Sequence, residues 1–163
     1  MNKISCGYLI SSAVLIGLSA QAIAGPKSCD NLVGVWQNEI NANLLIETDN
    51  AATGQLKGSY VTPEESQPGK KRSVYPIIGI SNHIPPKANE DMSAPHDNAR
   101  VIAFLVRWKD ASMNYGSVAS WTGTCEMKNG SPVIETTWNL ARSNTSYPWD
   151  HTFVGYDVLF PKK

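Results

Sequence analysis

The stretch SVASWTGTCEMKNGSPVIETTWNLAR, residues 117–142, decides the fold. It contains two strand-like runs, 117–127 and 132–142, and the dipeptide Asn129-Gly130 lies between them. Runs rich in β-branched and aromatic residues are typical of β-strands, and Asn-Gly between two of them is a strong signal for a tight turn. The stretch therefore predicts two antiparallel strands joined as one β-hairpin.

The rest of the chain repeats this pattern and predicts an all-β protein. Six further strand candidates are separated by turn residues, and no convincing helix is found. Their even spacing favours an antiparallel meander, and eight such strands close into an up-and-down β-barrel because closure removes the sheet edges. A barrel of this size has room for one small ligand. The six candidates are residues 32–39, 42–48, 54–62, 74–81, 100–109 and 151–160.

Two connections are long, residues 63–73 and 82–99. Both are rich in Pro and polar residues, and Pro85-Pro86 and Pro95 predict irregular backbone in the second. Connections of this length in a compact domain are usually functional lids or disordered segments. We therefore expect loops in both places and no further secondary structure.

The first 24 residues predict a secretory signal peptide. Lys3 gives a basic start, residues 9–18 form a short apolar stretch, and Ala22-Ile23-Ala24 fits a small-x-small cleavage site. The apolar stretch is too short for a membrane span, which needs about 20 residues. Cleavage after Ala24 would leave residues 25–163 as one domain with its own core. We therefore expect secretion to the periplasm or the extracellular medium, without a membrane partner.

The charge balance and the cysteines exclude several classes of protein. The formal net charge is zero, which argues against nucleic acid as a partner because phosphate binding leaves a basic footprint. Cys29 and Cys125 remain after cleavage, and an even pair in an oxidising compartment predicts one disulfide. Two cysteines at that spacing and three scattered histidines fit no metal-ligand motif, so no metal is expected.

Indoles and isolated polar groups share strand faces. Residues two or four apart in a strand point to the same side, which places Trp36 with Asn38 and Trp121 with Ser117. An all-apolar core would not need that mixture, whereas a deep pocket for a small, flat, partly polar ligand would. Trp36 is the exception, because an indole in a small barrel is usually core, and we expect it to pack the barrel floor. The five tryptophans are Trp36, Trp108, Trp121, Trp138 and Trp149.

The segments that carry these residues are similar to the avidin/streptavidin family. No single motif is decisive, but the set occurs in order over essentially the whole of residues 25–163. The resemblance implies a secreted eight-stranded barrel that binds biotin without catalysis and without a cofactor. The matching segments are GVWQN (34–38), GQLKGSY (54–60), WK (108–109), WTGTC (121–125), TWNL (137–140), Trp149 and VGYD (154–157).

The resemblance implies a partner for each polar group of biotin. Asn38 and Tyr60 would donate to the ureido oxygen, and Thr62 and Asp157 would accept from the two ureido N–H groups. An ionised Asp157 would strengthen its bond, since charge-assisted hydrogen bonds are about twice as strong as neutral ones. Ser117 would reach the carboxylate.

The resemblance also implies apolar walls and a second subunit. Each buried aromatic side chain removes about 150–250 Å² from water, so indoles around the bicyclic ring of biotin would contribute strongly. Trp149 would come from a neighbouring subunit and close the site, so we expect a homo-oligomer, a tetramer or alternatively a dimer. The expected wall residues are Trp108, Trp121, Trp138 and Leu140, with Tyr75 as a weaker match near the pocket.

The chain departs from the family pattern at Ala42 and Ala119. Ala42 stands where the family has a serine that donates to the ureido oxygen, and Asn41 or Asn43 could replace it if the turn shifts by one residue. Ala119 stands where the family has a threonine near the ligand sulfur. A lost donor of this kind costs on the order of 1 kcal/mol.

Other functions explain fewer of these residues. No Gly-x-Ser-x-Gly elbow is present for serine hydrolysis, and no catalytic residue is expected. A lipocalin-like carrier of apolar ligands would explain a secreted barrel but not its inward polar residues. A secreted inhibitor that acts on an enzyme through the long loops is a third alternative, for which the interior polar groups would have no role.

Overall fold

The computed structural model of the chain describes residues 25–63, 72–82, 99–108 and 116–163. Within these ranges eight antiparallel strands pair in sequence order, and the last strand pairs with the first to close a barrel. The predicted all-β, eight-stranded up-and-down β-barrel is confirmed. The strands are β1 (Gly34–Asn38), β2 (Asn43–Asn50), β3 (Gln55–Val61), β4 (Val74–Asn82), β5 (Arg100–Trp108), β6 (Ser117–Lys128), β7 (Ser131–Arg142) and β8 (Thr152–Pro161).

The observed strand ends differ from the predicted ones by two residues at most. His151 was predicted to begin the last strand but instead ends a short 3-10 turn, Pro148–His151, that leads into β8. Pro148 can begin this turn because its fixed φ suits the first position of a helix. The predicted signal peptide, residues 1–24, and most of the two long connections lie outside the described residues.

The β6–β7 hairpin has the turn that its sequence predicts. Asn129 and Gly130 have φ angles of 52° and 77°. Positive φ at both central residues is typical of a type I′ turn, whose twist matches that of the flanking strands. From this turn the two strands pair without a break up to Ser117 and Arg142. The register places Ser117 and Arg142 side by side at the far end of the hairpin.

The connections alternate between the two ends of the barrel because neighbouring strands are antiparallel. The β1–β2, β3–β4, β5–β6 and β7–β8 connections lie at one end, here called the open end, and the other three lie at the closed end. The long segments 63–73 and 82–99 therefore join strands at opposite ends, and only the first is at the open end. The Gly25 amide donates to the Lys162 carbonyl at 3.0 Å, also at the closed end.

The closed end is fixed by a disulfide and by a buried indole. Cys29 and Cys125 are bonded with their Cα atoms 5.6 Å apart, which confirms the predicted disulfide. Closing a loop of this length contributes about 4–5 kcal/mol in the loop-entropy model. Trp36 is fully buried and its Nε1 donates to the Leu32 carbonyl at 2.9 Å. Trp36 therefore packs the barrel floor, as expected.

A buried ion pair, not foreseen from the sequence, lies beside this floor. Arg100 is only 4% exposed, and its Nη2 lies 2.6 Å from Asp49 Oδ1. The same guanidinium donates to Ser81 Oγ and to the Asp30 carbonyl, both at 2.7 Å. Asp49 Oδ2 in turn accepts from the Leu32 amide at 3.0 Å. The pair is thus embedded in hydrogen bonds, as a buried pair must be to offset its desolvation.

Alternating burial along the strands separates an apolar interior from the outer surface. In β4 every second residue from Tyr75 to Ser81 is buried and the residues between them are exposed, as the period of two requires. No helix within the described residues has the length and apolarity that a membrane crossing requires. Exposed apolar side chains on the outer surface include Ile78, Ile80, Val101, Leu105, Val154 and Tyr156.

Candidate ligand-binding site

Asp157, on β8, lies at the centre of the interior polar residues and is 8% exposed. Its Oδ2 accepts a hydrogen bond from Trp121 Nε1 at 2.8 Å, and its Oδ1 accepts one from Asn38 Nδ2 at 3.3 Å. Trp121 lies on β6 and Asn38 ends β1, so the three side chains converge from three strands. Three residues that the sequence pointed to separately are therefore in direct contact.

Burial raises the pKa of the Asp157 carboxyl above its ordinary value of 3.8. The charge of Glu39 acts in the same direction, whereas the hydrogen bonds from Trp121 and Asn38 stabilise the carboxylate and oppose the shift. The two donors thus do not fully replace the water that an exposed carboxylate would bind. A further donor delivered by a ligand would stabilise the charged form.

The side-chain amide of Asn38 has a fixed orientation. Its Oδ1 accepts from the Ala42 amide at 2.8 Å, so Nδ2 is the group directed at Asp157 and at the barrel interior. Neither of the suggested replacements for the missing serine joins the site. Asn41 is exposed in the β1–β2 turn with a φ of 63°. Asn43 Oδ1 accepts from Gln37 Nε2 at 3.1 Å, and Ala42 is buried with no side-chain donor of its own.

A cluster of aromatic rings adjoins the polar group. Tyr60 stacks on Trp121 with ring centroids 5.2 Å apart and meets Trp108 edge-on at 5.5 Å. Tyr75 also meets Trp108 edge-on, at 4.8 Å. Phe104 stacks on the other side of the cluster, 4.9 Å from Trp121. Sequence reasoning missed Phe104, although it shares the inward face of β5 with Trp108 four residues later.

The Tyr60 hydroxyl stays protonated in this environment. Burial raises the pKa of this phenol well above its ordinary value of 10.0, and the nearby charge of Asp157 raises it further. A hydrogen bond with Asn38 acts in the opposite direction but is the smallest of these effects. The protonated hydroxyl can donate a hydrogen bond, and the donor role towards a ligand that the sequence resemblance implies stays a prediction.

Trp138 and Leu140 lie on the inward face of β7 and are half-buried. Trp138 pairs with Trp121 on the neighbouring strand β6, and Leu140 pairs with Ala119 on the same strand. The Trp138 indole rests directly on the backbone of Gly155, where an added Cβ would overlap the ring. Gly155 is thus a second site residue that sequence reasoning did not assign, and glycine is needed there for close approach.

Ser117 and Thr62 lie nearer to the open end. Ser117 is 7% exposed and pairs with Trp108 on β5. Thr62 follows β3, and its Oγ1 accepts from the Ser73 amide at 3.1 Å across the base of the β3–β4 connection. A hydroxyl oxygen has two acceptor sites, so Thr62 keeps one for a ligand.

Trp149 stands apart from the other predicted site residues in the single chain. It lies in the turn before β8, is 73% exposed, and stacks on Tyr147 with ring centroids 4.8 Å apart. The stack with Tyr147 leaves most of the Trp149 indole open to solvent at the open end. Its expected contribution to a neighbouring subunit stays a prediction.

The site combines hydrogen-bonding groups of both kinds with flat apolar surfaces. Asn38 and Trp121 donate to Asp157, Thr62 accepts from the Ser73 amide, and the rings of Tyr60, Trp108 and Trp121 pack beside this group. In the described ranges no three His, Cys, Asp or Glu side chains are grouped closely enough to hold a metal ion. Such a site suits non-covalent binding of a small, flat, partly polar molecule.

The fold and the site together define the class: a closed, eight-stranded, up-and-down β-barrel with polar groups among interior indoles. The chain belongs to the avidin family, because residues 26–162 match the model of that family. The resemblance inferred from the sequence is therefore confirmed. The family consists of binding proteins and not of enzymes.

Comparison with individual proteins gives the same assignment. The chain is similar to afifavidin of Afifella pfennigii, 44% identical over 111 residues that cover 68% of this chain and 58% of afifavidin. It is also similar to hoefavidin of Hoeflea phototrophica, 29% identical over 96 residues, or 59% of this chain and 49% of hoefavidin. The chain thus spans about half the length of these relatives. Apo shwanavidin has a similar structure, with a TM-score of 0.56, 25% identity, and coverage of 78% of this chain and 96% of shwanavidin.

Proposed function

We propose that this protein binds biotin tightly and non-covalently in the open end of the barrel and catalyses no reaction. Membership of the avidin family supports this proposal. The observation that carries it is the hydrogen-bonded group of Asn38, Trp121 and Asp157, which holds a fixed donor beside a desolvated acceptor. A ureido group, with an acceptor oxygen between two N–H donors, is complementary to that arrangement.

Each ureido atom would find a partner in the site. Asn38 Nδ2 and the Tyr60 hydroxyl would donate to the oxygen, and Asp157 and Thr62 would accept from the two N–H groups. The Asn38–Asp157 bond of 3.3 Å lies beyond the usual N–H···O range, so a ligand can replace it at small cost. Any buried ligand atom left unmatched would cost about 1–3 kcal/mol.

Apolar burial would supply much of the remaining affinity. The rings of Trp108, Trp121 and Trp138 would wall the bicyclic ring of biotin, and burial of apolar area is worth about 25 cal/mol per Å². Leu140 would pack beside them, and Tyr75 would hold Trp108 in place through its edge-on contact. The carboxylate of biotin would extend towards the open end, where the Ser117 hydroxyl lies.

We further propose a secreted homo-oligomer, a tetramer or a dimer, in which Trp149 closes the site of a neighbouring subunit. Its 73% exposure at the open end supports this role. Apolar side chains exposed on the outer surface, such as Ile78, Ile80 and Val154, support a surface that another subunit covers. The Cys29–Cys125 disulfide supports an oxidising, extracellular location.

Isothermal titration of the purified protein with biotin tests the proposal. We expect tight binding near one biotin per chain. The double variant Asn38→Ala/Asp157→Ala should bind at least about a hundredfold more weakly, because it removes one neutral and one charged hydrogen bond. Glu47→Ala removes an exposed carboxylate on β2 and should leave binding unchanged. The absence of both heat and thermal stabilisation in the wild-type protein would refute biotin binding.

A further inference from the structure

The inward face of β7 carries the Trp138 indole and ends, at the open end of the barrel, in a positively charged side chain. Trp138, Leu140 and Arg142 alternate with exposed residues and are all half-buried, so their side chains share one face. Arg142 is the last residue of β7, at the open end, and pairs directly with Ser117 of β6. The guanidinium therefore belongs to the same mouth of the barrel as the hydroxyl expected to reach the carboxylate.

Phe153 and the β7–β8 connection hold the guanidinium of Arg142. Its Cζ lies 4.4 Å from the centre of the Phe153 ring, and Phe153 pairs with Leu140 on the neighbouring strand. Arg142 Nη2 donates to the Asp150 carbonyl at 3.2 Å, and His151 Nδ1 lies 2.8 Å from the Arg142 carbonyl. These contacts orient the side chain and its backbone before any ligand binds.

The guanidinium keeps binding capacity for an anion. Its Nε is buried and has no hydrogen-bond partner among the described residues. The carbonyl that it contacts is a neutral acceptor, so that bond does not compensate the permanent positive charge of arginine. A cavity of about 200 Å³ opens beside Arg142 and is lined also by Asn144, Thr145, Ser146 and Asp150. It leaves room for a small anionic group beside the guanidinium, and Asp150, whose carbonyl the guanidinium already contacts, is the one acidic residue of this lining.

We infer that Arg142 is a specificity-determining residue that binds the carboxylate of the ligand together with Ser117. The inference rests on the proposed function, since it assigns the carboxylate end of biotin to this residue. Trp138 and Arg142 are four residue steps apart, which is about 13 Å along the strand. A ring walled by Trp138 that carries a short acid chain can bridge this distance with the help of the long arginine side chain. A guanidinium binds a carboxylate through two parallel N–H bonds, which serine alone cannot do.

The test compares biotin with biotin methyl ester, which lacks the negative charge, in calorimetric titrations of four proteins. Arg142→Gln should weaken biotin binding about tenfold or more, as expected for a hydrogen bond to a charged group, and should change ester binding less than about twofold. Arg142→Lys keeps the charge but not the planar fork, so its biotin affinity should lie between those of the wild-type protein and Arg142→Gln. Arg107→Gln is the matched control, because Arg107 is exposed and lies one residue from the inward Trp108.

The outcomes separate the two proposals. If the wild-type protein binds neither ligand, the proposed function fails and the role of Arg142 fails with it. If the wild-type protein binds both ligands, and Arg142→Gln weakens both equally or neither, biotin binding stands and the carboxylate role of Arg142 is wrong. Selective loss of biotin affinity in Arg142→Gln, with Arg107→Gln unchanged, supports the inference.

Discussion

Trp121 Nε1 donates to Asp157 Oδ2 over 2.8 Å and thereby joins β6 to β8 across the barrel interior. These strands are not neighbours, because β7 lies between them. In the proposed binding mode the same side chain would also be a wall of the site, besides being the donor that holds the Asp157 carboxylate in place. Stability and binding should be coupled through this bond.

Proton uptake by Asp157 should link pH to stability. Burial raises the pKa of this carboxyl in the folded protein above 3.8, so the folded state takes up the proton at a higher pH than the unfolded state. Such a group stabilises the fold at low pH, and this contribution is lost as the pH rises through the folded pKa. As the pH falls from the folded pKa of Asp157 towards 3.8, the free energy of unfolding of the wild-type protein should therefore increase relative to that of Asp157→Asn. Urea unfolding at a series of pH values measures the difference.

Biotin affinity should depend on pH in the opposite sense. A protonated Asp157 loses its charge, so affinity should fall as the pH is lowered through the same window. Measured with biotin methyl ester, which has no free carboxyl to titrate in this window, the affinity of Asp157→Asn should be lower throughout and should not change, whereas that of the wild-type protein should fall. Parallel pH profiles for the two proteins, in stability and in binding, would show that Asp157 does not titrate as described.

Substitutions in the buried ion pair at the closed end should change stability without changing biotin affinity. Arg100→Met leaves the Asp49 carboxylate buried without its partner, which should cost about 3–5 kcal/mol in unfolding free energy. The double variant Arg100→Met/Asp49→Leu should recover much of that loss. The biotin affinity of the folded protein should be unchanged in both, because the pair lies at the opposite end from the site. Urea unfolding and calorimetry give the two measurements.

An exposed ion pair provides the control for this experiment. Lys128 Nζ and Glu135 Oε2 lie 2.6 Å apart with side chains 41% and 33% exposed. Lys128→Met should cost much less than Arg100→Met, because water screens exposed pairs. A cost for Arg100→Met no larger than that of Lys128→Met would mean that the buried pair adds no net stability.

Ala42→Ser should restore a donor at the ureido oxygen. Ala42 is 1% exposed, and its amide already orients Asn38. A serine hydroxyl there would add one neutral hydrogen bond, so biotin affinity should rise about twofold to tenfold. Ala141→Ser places the same hydroxyl on the exposed face of β7 and should change nothing. Titration calorimetry compares the two, and equal affinities would show that the Ala42 position does not face the ligand.

The fold was predictable because its signals are local. Asn129-Gly130 requires two positive φ angles, which only a few residues adopt easily, and the turn then sets the register of β6 and β7. Strand parity placed Asn38 and Asp157 on the interior side. The disulfide followed from the even pair of cysteines together with the predicted export to an oxidising compartment. The turn and the strand faces depend on residues close in sequence or on simple alternation.

The parts that were missed depend on contacts between distant residues. An arginine at the start of a strand, such as Arg100, is expected from sequence to be exposed to solvent. Nothing in the sequence predicts its pairing with Asp49, 51 residues earlier. Phe104 is one ordinary apolar strand residue among many. The orientation of Asn38 depends on the Ala42 amide, which only the closed turn brings into reach. The signal peptide, the oligomer and the ligand contacts stay predictions.

The meeting of Gly25 and Lys162 at the closed end has a practical consequence. A tether attached at either position leaves the barrel on the side away from Asp157 and Arg142. Such a protein could be immobilised on a sensor surface or joined to another domain with its mouth facing outward. The attachment geometry needs no redesign of the loops at the open end.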